Sequence, residues 1–308
     1  MKNQLQSIHF VVVTYNGESF IKKCIAAIRE ESPASPIHVI DNGSQDSTLS
    51  ILADLNITPI QTNENLGFGK ANNIGISKAL ISNASNVFLI NQDAYIERGS
   101  LRRFFEKSES RQTALHAFIQ LNGNGDKLDS KFKSNYLSHK NCPDFLEDLF
   151  FNTIQPSYEI AFANAAAWIM PRELLLKIGG FNPSFFHYGE DDNYINRLHH
   201  HDFKLILHPD CRVNHDREDR PKSSFFSDTK SKERLFLLRI SHPSNQTNAK
   251  QLLRQSKRNF WKKRIRGHKR EHIIESLHLD FLERNHIGDI IDNRNVTKTL
   301  GTHFLQLE

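Results

Sequence analysis

The sequence predicts an α/β chain on a mainly parallel, doubly wound sheet flanked by helices, and two observations carry that expectation. Four β-branched or aromatic runs alternate with three helical stretches within the first 95 residues, the signature of βαβ units. Each run empties into a polar turn, and right-handed crossovers set such turns along one carboxyl edge, where ligands of these sheets bind.

Residues 8–13, Ile-His-Phe-Val-Val-Val, form the first strand and end at Thr14-Tyr15-Asn16-Gly17. A helix fits residues 19–30, with Phe20, Cys24, Ala27 and Ile28 on one face, and Pro33 and Pro36 follow it. The second strand, 37–40, empties into Asp41-Asn42-Gly43-Ser44, after which Asp46 or Ser47 caps a helix through about Leu55. The third strand is 58–62, followed by the loop 63–69 and a helix through about Leu80. The fourth, 87–90, is four apolar residues that break at Asn91 and Asp93. Two positions apart, these suit either a strand-ending turn or two oxygens on one hard divalent cation.

The pattern then loosens. A helix over 97–107 and a strand over 115–121 precede the turn Asn122-Gly123-Asn124-Gly125-Asp126. Residues 126–158 are polar, aromatic and irregular, which in a compact domain marks a binding surface. A small-residue run over 161–170 leads to a helix from Pro171 to Lys177, closed by Gly179-Gly180. The aromatic loop 181–192 ends in three acids, Tyr194, Ile195 and Leu198 continue at helical spacing, and two short strands follow at 204–207 and 211–214. Beyond Arg217 the chain turns helical and basic, so the expected organisation is a main domain over 1–216, with halves 1–95 and 96–216, and an extension over 217–308.

Composition excludes several classes. With 38% hydrophobic residues, a mean hydropathy of −0.53 and no apolar run near the ~20 residues that span a bilayer, a soluble or peripheral protein is expected. The first residues lack the apolar core of a signal peptide, which points to the cytoplasm. Cys24, Cys142 and Cys211 are too widely spaced for zinc or redox work and read as reduced structural thiols. The net charge of +5 is concentrated: residues 250–270 hold ten Lys or Arg and no acid.

Four segments in order, Val12 to Asn16 (Val-Val-Thr-Tyr-Asn), Asp41 to Thr48 (Asp-Asn-Gly-Ser-x-Asp-x-Thr), Asn65 to Gly75 (Asn-Leu-Gly-Phe-Gly-x-Ala-Asn-Asn-x-Gly) and Gly179 to Asp191 (Gly-Gly-Phe-Asn-x-x-Phe-Phe-x-Tyr-Gly-Glu-Asp), give the chain a family likeness. It resembles the inverting family 2 glycosyltransferases of the GT-A fold, rhamnosyltransferase-like members that assemble bacterial surface polysaccharides. The likeness covers residues 8 to about 216.

The resemblance implies a UDP- or dTDP-sugar donor over the sheet edge, with Thr14, Tyr15, Asn16 and Asp41 around the base and ribose. A carboxylate at Asp41 would accept the N3–H of uracil or thymine. Asn65, Gly67 and Lys70 would approach the ribose or diphosphate, the glycines removing side-chain bulk. Asn91-Gln92-Asp93 stands where the family has Asp-x-Asp, so Asp93 is the expected ligand of Mn2+ or Mg2+, with Asn91 offering a neutral amide oxygen. His215 matches a position that completes coordination in some relatives, and imidazole favours manganese. Glu190-Asp191 matches the family's Glu-Asp pair, which makes Asp191 the catalytic base and Glu190 an acceptor binder or a helix N-terminal partner. Asn193 and the extra Asp192 depart from the usual Glu-Asp-x-Asp. Trp168, Tyr188, Phe185 and Phe186 are expected on the side of a glycan or lipid-linked glycan acceptor. Two other classes are weighed: nucleotidylyl transfer, which needs a basic triphosphate loop that residues 14–20 lack, and a non-catalytic nucleotide-sugar or polysaccharide binder.

Residues 251–270 carry Leu253, Phe260, Trp261 and Ile265 among their cations. That suits an amphipathic segment lying on the anionic inner face of the membrane, ahead of a solvated helix face or an oligomer contact; nucleic acid is not expected.

Overall fold

The computed structural model describes residues 8–107, 113–217 and 228–308; the first seven residues and the start of the basic extension at 218–227 lie outside it. The first half alternates β1 (Ile8–Thr14), α1 (Ile21–Glu31), β2 (Ile37–Asp41), α2 (Thr48–Asp54), β3 (Ile60–Gln61), α3 (Phe68–Ile81) and β4 (Asn86–Ile90). A short β5 (Ala94–Ile96), α4 (Ser100–Glu106) and β6 (Leu115–Asn122) lead into the middle region, which holds a single π-turn over Phe132–Tyr136 and α5 (Phe145–Phe151). Then come β7 (Tyr158–Glu159), β8 (Ala167–Pro171), α6 (Arg172–Ile178), α7 (Glu190–His200) and β9 (Leu205–His215). The two strands expected over 204–214 are one strand. Pro209 cannot donate to a ladder, and β9 carries the irregularity itself, since Phe118 pairs with His208 and the next residue, Ile119, with Arg212.

All nine strands join one sheet in the order β3-β2-β1-β4-β8-β6-β9-β5, with β7 on β9. The β1–β4 half is parallel, β8 inserts antiparallel between β4 and β6, and β6 and β9 run parallel. The ends of β1, β2, β4, β6 and β9 therefore share one edge, which gathers Thr14, Asp41, Asn91, Asn122 and His215. Because β8 runs the other way, the loop that feeds it, including Asn164, lies on the same edge.

Alternation along β1 builds a core on each face. Ile8, Phe10 and Val12 pack with Cys24, Ile25 and Ile28, while Val11 packs with Ala71, Ile76 and Leu80. A third cluster joins α8 (Asp228–Ser241), α9 (Ala249–Ile265), α10 (Lys269–Arg284) and α11 (Ile287–Val296), and Phe185 of the aromatic loop is buried within it. The chain then returns to the main body: Gly180 N–H donates to His303 O at 2.8 Å, Gln306 N–H to Ser77 Oγ at 3.0 Å, and Leu305 and Leu307 pack on the main core. Among the described residues no helix is long and apolar enough to cross a membrane.

Candidate active site

The first loop is held by the fourth. Thr14 Oγ1 donates to Gln92 Oε1 at 2.6 Å, Tyr15 N–H donates to the same oxygen at 3.0 Å, and Gln92 Nε2 returns a bond to Tyr15 O at 3.2 Å. Gly17 sits so close that a Cβ would meet Gln92 Oε1 at 2.3 Å. The buried Asn42 organises the third loop: its amide nitrogen donates to Asn65 Oδ1 at 2.9 Å and its oxygen accepts from Leu66 N–H at 2.9 Å. Asp41 is buried, with Oδ2 accepting from Ser44 N–H at 3.2 Å. Its Oδ1 is buried with no hydrogen-bond partner among the described residues, and Asp41 lies behind the chamber walls, not in them.

At the centre, β5 and β9 pair with Ala94 opposite His215, which sets Asp93 beside the imidazole. Asp93 Oδ2 lies 3.4 Å from His215 Nε2, and both residues are 2% exposed. His215 Nδ1 is 3.0 Å from Gln120 Oε1, and Gln120 Nε2 donates to Asn164 Oδ1 at 2.6 Å. That chain fixes the ring so that Nε2 points toward a carboxylate oxygen. Both are atoms of types that bind metals, and a cation could be shared between them. Neighbouring ligands of an octahedral ion with ~2.1 Å bonds sit roughly 3 Å apart, so the spacing suits a divalent metal. Among the described residues no cluster of three or more His, Cys, Asp or Glu could hold one. A two-donor site fits ions that take their remaining ligands from water and substrate phosphates.

Three connected chambers run along the edge. One of about 300 Å3 is lined by Tyr15, Asn65, Gly67, Gln92 and Phe186. A second of about 170 Å3 holds Asn91, Asp93, His215, Glu190 and Asp191. A third of about 430 Å3 continues past Tyr188, Asp191, Tyr136 and Arg234. The first two share Asn91, Asp93 and His187, and the last two share Asn164, Tyr188, Asp191 and Arg217. Asp191 thus stands at the passage between the Asp93–His215 pair and the third chamber.

Glu190 and Asp191 open α7, after Gly189 at φ +99° and Tyr188 at φ +65°. Burial, then the neighbouring Asp192 charge, push Asp191 above the usual carboxylate range. Burial and the Asp191 charge do the same to Glu190. Asp191 is thereby a better proton acceptor than a solvated aspartate.

The structure corrects several expectations. Trp168 is fully buried, opposite Leu89 in the sheet and stacked on Phe181 with ring centroids 6.1 Å apart, so it is a core residue with no face toward an acceptor. Phe185 is core of the C-terminal cluster, and Phe186 lines the first chamber, not the third. Asn16 and Lys70 lie exposed outside the chambers; Asn16 Oδ1 accepts from Gln45 N–H at 2.8 Å and shapes the turn. Sequence reasoning missed Gln120, Asn164, His187 and Arg217. Only Arg217 carried a signal, two positions after His215; its guanidinium pairs with the buried Asp129, Nε to Oδ2 at 2.9 Å, while lining the second and third chambers.

A half-parallel sheet whose edge carries this crevice, with a carboxylate–imidazole pair at its middle, is a GT-A fold. A family model described as "Glycosyl transferase family 2" matches residues 9–179, and the chain belongs to that family. No curated protein sequence matches the chain. Among solved structures, GalNAc-T7 with UDP, GalNAc and Mn2+ is similar at a TM-score of 0.64 and 13% identity, over 96% of this chain and 55% of that one. S. aureus TarS 1-349 is similar at 0.51 and 17%, over 78% of this chain and 66% of that one. The same protein with UDP-GlcNAc gives 0.52 and 16%, over 95% and 90%. The chain therefore spans less than two thirds of the first two, and at these identities the likeness is one of fold.

Proposed function

We propose that the protein is an inverting, metal-dependent glycosyltransferase that moves a hexosyl unit, with rhamnosyl among the candidates, from a UDP- or dTDP-sugar to a hydroxyl of a glycan or lipid-linked glycan in surface polysaccharide synthesis. The observation that carries this reading is the buried Asp93–His215 pair at 3.4 Å, in a chamber that also holds Asp191.

On this reading residues 1–95 bind the nucleotide, 96–216 bind the acceptor and 217–308 form the extension. Asp41 and the Gln92-braced loop receive the base and ribose, and Gly67 lets the loop backbone approach the donor. Asp93 and His215, with Asn91 beside them, would hold Mn2+ or Mg2+, which would supply positive charge against the departing diphosphate. Arg217 lines the same chamber, held there by its pair with Asp129. GalNAc-T7, which shares the fold, was solved with UDP and Mn2+. Asp191 accepts the proton of the acceptor hydroxyl as its oxygen bonds to the anomeric carbon and the bond to the phosphate oxygen breaks. Attack from the third chamber, opposite the diphosphate, inverts the anomeric centre.

The test is nucleotide diphosphate release from a panel of UDP-, dTDP- and GDP-sugars with manganese. Release from one donor, lost in Asp93→Ala, supports the proposal. Tight donor binding without release or transfer would favour the non-catalytic binder, for which Asn91 in place of an acid speaks.

A further inference from the structure

The basic segment folds as a hairpin. α9 and α10 turn back on each other at Gly267, φ +70°, where an added Cβ would meet nothing within 4 Å. Leu252 and Ser256 bury the root of α9, and Leu253 packs on the C-terminal core. Phe260 lies on His272 with ring centroids 4.3 Å apart. The flat amphipathic helix expected over 251–270 is therefore not available, because the apolar stripe of its root is already covered.

What stays uncovered is the tip. Trp261, Ile265 and Ile273 are 54%, 82% and 57% exposed, all within about two turns of Gly267. Trp261 and Ile265 are i,i+4 neighbours on the outer face of α9. Six cations, Lys257, Arg258, Lys262, Arg264, Arg266 and Lys269, are exposed around them, and Arg264 lies over the Trp261 ring at 5.2 Å. The nearby acid, Glu271, is engaged by Lys263 and His268.

We propose that this tip is a membrane-docking element: the cations meet anionic headgroups while Trp261, Ile265 and Ile273 enter the boundary between headgroups and acyl chains. Aliphatic side chains at the apex gain nothing from a nucleic-acid backbone and cannot stack on bases as aromatic rings do. A twofold contact between two tips would set like charges against each other. A bilayer carrying acidic lipid satisfies both halves of the pattern, an indole and aliphatic apex inside a cationic collar. The inference does not depend on the donor or the chemistry proposed above.

The chain contains two tryptophans. Trp168 is sealed in the core, so any change in indole emission on binding reports Trp261. The experiment is flotation of the full chain with phosphatidylglycerol–phosphatidylcholine vesicles and with pure phosphatidylcholine vesicles, alongside emission spectra. Flotation with the anionic vesicles alone, reversal by high salt, and a blue-shifted Trp261 emission are expected. Trp261→Ala with Ile265→Ser should lower partitioning about tenfold, and Lys262→Glu with Arg266→Glu about a hundredfold. All four positions are outward, and circular dichroism confirms that the variants are folded. Failure to float on anionic vesicles at physiological salt, flotation without any emission change, or duplex DNA binding in place of vesicle binding would overturn the proposal. Donor hydrolysis measured without vesicles tests the transferase reading separately, so either can fail alone.

Discussion

Asp93 Oδ2 and His215 Nε2 face each other at 3.4 Å, and the imidazole is turned that way because Gln120 Oε1 holds its Nδ1 at 3.0 Å. The pair comes from two antiparallel strand ends, so the sheet, not a local motif, sets its spacing. Asp93→Ala should abolish manganese-dependent donor hydrolysis. Gln120→Leu, which releases the ring without touching a ligand atom, should weaken manganese binding about 10-fold to 100-fold. Manganese titration by electron paramagnetic resonance checks both.

Asp191→Asn should lower turnover by roughly 10^2 to 10^4 while calorimetry shows donor affinity unchanged. In the role proposed for it Asp191 works deprotonated, and burial with the Asp192 charge raises its proton affinity. The acid limb of the rate profile therefore lies above the ordinary carboxylate range. Asp192→Asn removes one cause, so the limb should move to lower pH; an unmoved limb would show that another group limits the rate.

Glu190 is 4% exposed, and burial with the Asp191 charge raises it above a solvated glutamate. A folded-state value above the unfolded one gives stability that is present at low pH and lost as pH rises through the raised value. Glu190→Gln should therefore unfold at a higher temperature than the parent at pH 8, and by less at pH 5. The gain at pH 8 is on the order of 1–3 kcal/mol, read by calorimetry.

Gly67 has φ +84°, and a Cβ there would meet Phe186 O at 2.0 Å. That neighbour is backbone and cannot rotate away. Gly67→Ala should cost about 1–3 kcal/mol and displace the aromatic loop from the first chamber, so the donor KM rises more than kcat falls.

Leu305 and Leu307 cover part of the main core, although no motif links them to it. Leu305→Ala should destabilise the main core by about 1–3 kcal/mol, seen as a lower melting temperature by calorimetry.

The β1–β4 half was legible because its signals are local: β-branched runs, capping residues and turn dipeptides. Asp93, His215 and Asp191 were singled out from motif positions, and the sheet edge explains why those positions meet in one chamber. Gln120, Asn42 and the Arg217–Asp129 pair were not, since each works through a partner distant in sequence with no periodicity to mark it. Trp168 misled because an aromatic among small residues reads alike in a core and in a sugar site; only its place opposite Leu89 separates the two. The middle region is ordered by tertiary bonds such as Tyr158 to Asp148, at 2.7 Å, which composition does not show.

The returning segment at 301–307 also bears on biosynthesis. A ribosome makes the sheet and α6 first, yet Leu305, Leu307 and the carbonyl of His303 that receives Gly180 follow only after α8 to α11. Until they emerge, the surface around Ser77, Lys177 and Gly180 lacks its cover. Nascent chains should therefore stay chaperone-bound and protease-sensitive there, and the main core should reach its final stability only after the helical extension has been made.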